Sequence, residues 1–140
     1  MTVQEVKEKL GSVYVRYREY MLAEEKADQF REKISSPAGT AASDDPPQTH
    51  SGDNSTEIKY IAALWYCEQA GKSFREYMIA RQGAETIINS VRFPDEKEVL
   101  TRRYILFQKW EVIAEKTYIS LRNVHYLHGK GLKHISESLH

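Results

Sequence analysis

The chain has 140 residues, the length of one domain of ordinary size. Its 20 Lys and Arg residues balance its 20 Asp and Glu residues, and this net charge of zero excludes a protein that coats nucleic acid by charge alone. A single cysteine excludes a disulfide framework and a cysteine-rich zinc site. Because no apolar run is long enough to span a membrane and no signal-peptide core is present, we expect a cytoplasmic protein without a membrane partner.

Residues 1–34 are predicted to form one long helix. No proline interrupts them, and their apolar residues alternate at spacings of three and four: Val3, Val6, Leu10, Val13, Tyr17 and Tyr20. Such a narrow apolar seam is typical of a helix that packs along another helix or in a coiled coil.

Residues 35–56 are predicted to be a disordered linker. They hold three of the four prolines, no large apolar residue, and no Lys or Arg. A segment with nothing to bury cannot offset the entropy that is lost when its backbone becomes ordered.

Residues 57–92 are predicted to form a second long helix, with N-cap candidates at Asn54, Ser55 and Thr56. Its expected apolar stripe contains Tyr60, Leu64, Cys67, Phe74, Tyr77, Met78, Ala84, Ile87, Ile88 and Val91. The two long segments fit an antiparallel hairpin within one chain, or a homodimer through residues 1–34 and 57–92. The sequence leaves both arrangements open.

Residues 93–140 are predicted to form three shorter helices, because Pro94 disfavours helical geometry at Phe93. We place them at residues 95–107, 110–117 and 120–138. Only Tyr118 and Ile119 separate the last two, and Ser120 is positioned to cap the third. A tight turn of this kind, followed by a basic helix, predicts a helix-turn-helix.

The last helix carries the best candidates for a function. Residues 118–136 contain three Lys or Arg, three His, and no Asp or Glu. If Leu121, Val124, Leu127 and Ile135 face inward, the first two turns present side chains that can read bases in a major groove: Arg122, Asn123, His125 and Tyr126. Phosphate contacts are predicted for Ser120, Lys130, Lys133, Lys109 and Lys116.

Residues 100–136 resemble region 4 of sigma-70-type factors. The pattern includes Arg103-Tyr104-Ile105, Trp110-Glu111, Ile113-Ala114-Glu115, Ser120, Val124, His128-Gly129-Lys130 and Leu132. The stretch is more similar to the ArpU-like and RinA-like late transcription activators of Gram-positive phages. The resemblance implies a transcriptional regulator of phage late genes that binds double-stranded DNA in the bacterial cytoplasm, with host RNA polymerase as a partner.

Two other classes of function compete with a regulator. One is a small terminase subunit that marks phage DNA for packaging, and the other is a protein-interaction module without DNA binding. No phosphate loop or catalytic triad pattern is present, so we expect no enzyme and no cofactor. His125 and His128 are three residues apart, but without further ligands we expect no metal site and interpret both as surface or DNA-facing histidines.

Overall fold

A computed structural model of the chain describes residues 1–35 and 51–139, and all regular secondary structure in these ranges is helical. The described part contains five α-helices: α1 (Val3–Ser35), α2 (Ser51–Asn89), α3 (Pro94–Leu100), α4 (Trp110–Thr117) and α5 (Leu121–Ser138). A π-helical turn, Thr101–Ile105, continues α3. The predicted all-α class is confirmed.

The long helices extend further into the predicted linker than expected. α1 includes Ser35, and α2 begins at Ser51 rather than at residue 57, so the cap candidates Asn54, Ser55 and Thr56 lie inside the helix. Once a helix has formed, each added residue gains a backbone hydrogen bond, which can override a weak local helix propensity. The remainder of the predicted linker, residues 36–50, lies outside the described residues.

The described chain divides into two compact units. The first contains Met1–Tyr17 and Glu76–His140, and the second contains Arg18–Arg75. The first half of α1 and the end of α2 therefore belong to the same unit as α3, α4 and α5. The division falls within the two long helices rather than at Phe93.

The two long helices contact each other within one chain. In the second unit, the ring of Phe30 stacks on Tyr66 at 4.9 Å, and that of Tyr20 lies 5.2 Å from Phe74. A later residue of α1 thus meets an earlier residue of α2, which makes the pair antiparallel. In the first unit, the ring of Tyr17 lies 5.4 Å from that of Tyr77.

The buried stripe of α2 matches the predicted one only in part, at Tyr77, Ala84 and Ile88. Its buried residues are Ala63, Ala70, Tyr77, Ala84 and Ile88, and the first four recur every seven positions. Three residues of the predicted stripe are exposed: Tyr60, Leu64 and Phe74. The fully buried positions of α2 are thus mostly small side chains, whereas its partly exposed rings, Tyr66 and Phe74, contact α1.

The C-terminal helices of the first unit share a core. Val99 of α3, Ile113 of α4 and Val124 of α5 form a fully buried cluster. Trp110, Ala114, Ile119 and Leu127 pack against this cluster. The core holds α4 and α5 together from one side and leaves the opposite side of α5 to solvent.

The helix predicted over residues 95–107 ends earlier than expected. α3 gives way to the π-helical turn, in which the amide of Leu106 donates to the carbonyl of Thr101. Phe107 then adopts a left-handed backbone with φ of 57°, and its ring packs against Tyr14 and Tyr17. Packing of that ring compensates for a backbone conformation that the sequence pattern does not reveal.

The last two helices follow the prediction closely. α4 occupies Trp110–Thr117, and α5 occupies Leu121–Ser138. Ser120 is the N-cap of α5, because its Oγ accepts a hydrogen bond from the amide of Asn123 at 3.2 Å. The connection is tight because Tyr118 adopts the left-handed region, with φ of 58°.

Two glycines of α5 differ sharply in their surroundings. A Cβ at Gly131 would lie 2.8 Å from Cδ1 of the fully buried Leu100, whereas a Cβ at Gly129 meets nothing within 4 Å. We expect Gly129→Ala to raise the free energy of unfolding by about 1 kcal/mol through helix propensity. Gly131→Ala gains the same propensity but overpacks the core, and we expect a net loss of about 1–2 kcal/mol.

Urea unfolding of both variants measures this contrast, and Gly129→Ala is the matched control on the same helix. If both substitutions stabilised the chain equally, α3 and α5 would not be in close contact at Gly131.

Candidate nucleic-acid interface

One side of α5 carries an exposed polar face, which we call the α5 face: Arg122, Asn123, Tyr126, Lys130 and Lys133. These residues recur at helical spacing and therefore lie on the same side of the helix. Val124, Leu132 and Ile135 are buried on the other side. The core thus orients α5 so that its candidate reading residues point to solvent.

The α5 face is positively charged. Arg122, Lys130 and Lys133 are exposed, and residues 118–136 contain no Asp or Glu that could neutralise them. Nζ of Lys130 lies 5.6 Å from the centre of the Tyr126 ring, so the two side chains lie side by side. Such a local concentration of positive charge in a neutral chain suits a polyanion.

The first turn of α5 combines a cap with two candidate base readers. Ser120 is exposed, and while its Oγ accepts from the amide of Asn123, its hydroxyl proton is still able to donate to a phosphate. The side chains of Arg122 and Asn123 follow it and are exposed. Arg can bond to guanine and Asn to adenine in the major groove, each through two hydrogen bonds.

His125 is exposed but is not isolated. Its ring lies 4.6 Å from that of Trp110, and the guanidinium of Arg103 lies 4.2 Å from the same indole. Nη1 of Arg103 also donates to the carbonyl of Gln108 at 3.1 Å. Trp110 thereby restricts the orientation of His125, a role the sequence does not indicate.

Lys109 and Lys116 lie at opposite ends of α4. Lys109 is the extended residue before its first turn, and Lys116 is in its last turn, next to the connection to α5. Both are exposed. All nine sequence-predicted contact residues are therefore accessible to a ligand.

The predicted exposure of His128 and the predicted burial of Leu121 are wrong. His128 is buried, and its Nε2 shares a hydrogen bond with the hydroxyl of Tyr104 at 2.7 Å. Leu121 is exposed because the first residue of α5 lies beyond the end of the core. A histidine on the inward side of a helix is accommodated by a buried hydroxyl, which no local sequence pattern predicts.

Burial shifts the titration of this pair. Desolvation lowers the pKa of His128 to about 4, and the nearby positive charges of Lys7, Arg103 and His125 act in the same direction. Desolvation also raises the pKa of the Tyr104 hydroxyl, against a smaller opposing effect of Arg103. Both side chains are therefore uncharged at neutral pH, as a buried hydrogen-bonded pair requires.

Two polar contacts hold the C-terminal part of α5 in place. Nδ1 of His134 lies 2.6 Å from Oε1 of the buried Glu96, which links α5 to α3. Oγ of Ser136 donates to the carbonyl of Met1 at 2.6 Å. These contacts join residues that are far apart in the sequence and were not predicted from it.

Among residues 1–35 and 51–139, no group of three or more His, Cys, Asp or Glu residues is arranged to hold a metal ion. In the same residues, no helix is both long and apolar enough to cross a membrane.

Comparisons with known proteins identify no relative. No family model, no curated protein and no solved structure matches this chain.

Proposed function

We propose that this protein is a sequence-specific DNA-binding regulator of transcription that reads DNA with a helix-turn-helix formed by α4 and α5. The observation that carries the proposal is the α5 face, which is exposed, positively charged and free of acidic residues. A core on the opposite side of α5 supports it rigidly. The tight turn between α4 and α5 presents the first turns of α5 at the surface, where a major groove can accept them.

The contacts divide into two classes. Base edges are read by exposed side chains near the start of α5: Arg122, Asn123, His125 and Tyr126. Phosphates are bound by exposed hydroxyl and amino groups around them: Ser120, Lys109, Lys116, Lys130 and Lys133. The neutral chain has little general attraction for DNA, so affinity depends on this one face.

The wider role follows from the resemblance to phage late transcription activators. We propose that the protein acts on phage late genes in the cytoplasm of a bacterial host, with host RNA polymerase as a partner. A positively charged reading helix in the same compact unit as parts of two long helices fits a factor that recruits the polymerase.

We also propose a homodimer formed through the two long helices. Its support is the exposure of large apolar side chains on α2: Ile58, Ile61 and Trp65. These residues recur at helical spacing and share one side of the helix. Sedimentation measures the assembly: a dimer fits a regulator that binds paired half-sites, whereas a ring of many subunits fits a small terminase.

The experiment that tests DNA binding is selection from random duplex DNA at a stated salt concentration. A regulator enriches one sequence, and its affinity falls steeply as salt is raised. Failure to bind any duplex in a salt-dependent way would favour an interaction module without DNA binding.

Substitutions on the α5 face separate readers from phosphate contacts. Arg122→Ala and Asn123→Ala should each weaken binding to the selected site by about 1–3 kcal/mol and relax its selectivity. Lys133→Ala should weaken binding to all sequences alike and reduce the salt slope by about one unit.

Folding of each variant is checked by its melting curve. Because the three side chains are exposed, their loss should change stability by no more than about 0.5 kcal/mol. Normal binding of folded Arg122 and Asn123 variants would exclude α5 as the reading helix.

A further inference from the structure

Two aromatic residues of the described chain adopt the left-handed backbone region that favours glycine. Phe107 has φ of 57°, and Tyr118 has φ of 58°. For a residue with a Cβ this conformation is unfavourable and uncommon, so each position calls for a compensating interaction.

For Phe107 the compensation is visible in the fold. Its ring centre lies 5.1 Å from that of Tyr14 and 4.9 Å from that of Tyr17. Replacing Phe107 by glycine would relax the backbone but would remove these ring contacts. The left-handed conformation at Phe107 therefore directs its ring against Tyr14 and Tyr17 of α1.

Tyr118 has no such compensation in the fold. Its side chain is 96% exposed, the highest exposure of any large hydrophobic residue in the described chain. Glycine would form the same turn between α4 and α5 without the steric cost of a Cβ. A large ring at this position thus lowers stability without contributing to packing, which indicates a role in binding.

The surroundings of Tyr118 indicate what it binds. Lys116 precedes it, Ser120 and Arg122 follow it, and all three are exposed. Tyr118 also begins the stretch of residues 118–136 that contains no Asp or Glu. The accessible hydroxyl of Tyr118 is therefore a hydrogen-bond donor in a positively charged surface, where an anionic oxygen is the best acceptor.

We propose that Tyr118 binds a phosphate of the DNA backbone through its hydroxyl, next to the bases that α5 reads. This inference rests on the proposed DNA-binding function and adds to it a residue that the sequence pattern passes over. Tyr118 lies in the turn rather than on the α5 face, so it contacts the DNA backbone and not a base edge. It sets the position of the turn against the DNA and does not choose the sequence.

Two substitutions of Tyr118 test the proposal on the duplex selected by the parent protein and on an unrelated duplex of equal length. Tyr118→Gly removes the side chain and the strain, and Tyr118→Phe removes only the hydroxyl. Each should weaken binding to both duplexes by about tenfold, the usual effect of a lost hydrogen bond to a charged group. Because a neutral donor releases no counterion, the salt slope should stay that of the parent, unlike the slope of Lys133→Ala.

Stability provides a second readout that does not depend on DNA. Tyr118→Gly should raise the Tm by about 3 °C, because it removes the left-handed strain and no packing. Phe107→Gly is the matched control: it relaxes the same backbone conformation, but it should lower the Tm because it also loses its ring contacts.

The outcomes separate this inference from the proposed function. Unchanged DNA binding of Tyr118→Gly, with a parent that binds normally, would overturn the role of Tyr118 alone. Normal binding of Tyr118→Phe together with weak binding of Tyr118→Gly would assign the contact to the ring and overturn the hydroxyl–phosphate bond. A parent that binds no DNA would overturn the proposed function itself.

Discussion

Replacing Leu10 and Val13 together by aspartate is expected to abolish cooperative unfolding of the first unit at room temperature. Both side chains are fully buried in this unit, which α1 shares with α3, α4 and α5. An unpaired carboxylate in such a site costs several kcal/mol, and two of them approach the whole stability of an ordinary domain, about 5–15 kcal/mol. Circular dichroism and thermal melting measure the loss.

The same helix offers a matched control. Val15 is 55% exposed, and Val15→Asp should change the free energy of unfolding by no more than about 0.5 kcal/mol. Leu10→Ala is a milder substitution, because it leaves a cavity but introduces no charge. It should lower the free energy of unfolding by about 2–5 kcal/mol. Parent-like melting of the double aspartate variant would show that this part of α1 faces solvent.

Lowering the pH from 7 to 5 is expected to remove about 2 kcal/mol of stability through His128 alone. Its pKa is about 4 in the folded chain, against an ordinary value of 6.5. Between these two values, the unfolded chain holds a proton that the folded chain does not, so stability falls as the pH falls. The stability that His128 contributes by remaining uncharged in the folded chain is fully present above pH 6.5 and is lost by about pH 4.

The comparison with His128→Gln isolates this effect, because every other ionisable group is present in both proteins. Glutamine keeps a polar group near Tyr104 but does not titrate. Urea unfolding at pH 7, 6 and 5 should show a smaller loss of stability in the variant than in the parent. Parallel profiles for the two proteins would mean that His128 does not titrate as a buried residue.

The sequence by itself determined the helical class and the local structure around the candidate interface. The limits of α4 and α5 and the cap at Ser120 were predicted from turn and cap residues, because these signals act over three or four residues. The exposure of Arg122, Asn123 and the surrounding lysines follows from the period of the helix, once its apolar side is known.

Only the tertiary structure decided which apolar residues form the contact surfaces. On α2 it buries the small residues Ala63 and Ala70 and leaves Leu64 exposed at 57%. The packing of α2 against the rest of the chain decides this, because hydrophobicity alone would favour burial of the leucine. The tertiary structure also ends the predicted helix over residues 95–107 before Phe107, whose ring packs against Tyr14 and Tyr17.

The buried polar contacts likewise depended on the tertiary structure. His128 meets Tyr104, and Glu96 meets His134, across 24 and 38 residues of chain. A sequence pattern reports the hydrophobic period of each helix, but it carries no information on which distant polar group will lie opposite a given position. That pairing is set by how the helices pack, because a buried polar group is stable only where a partner is within hydrogen-bond distance.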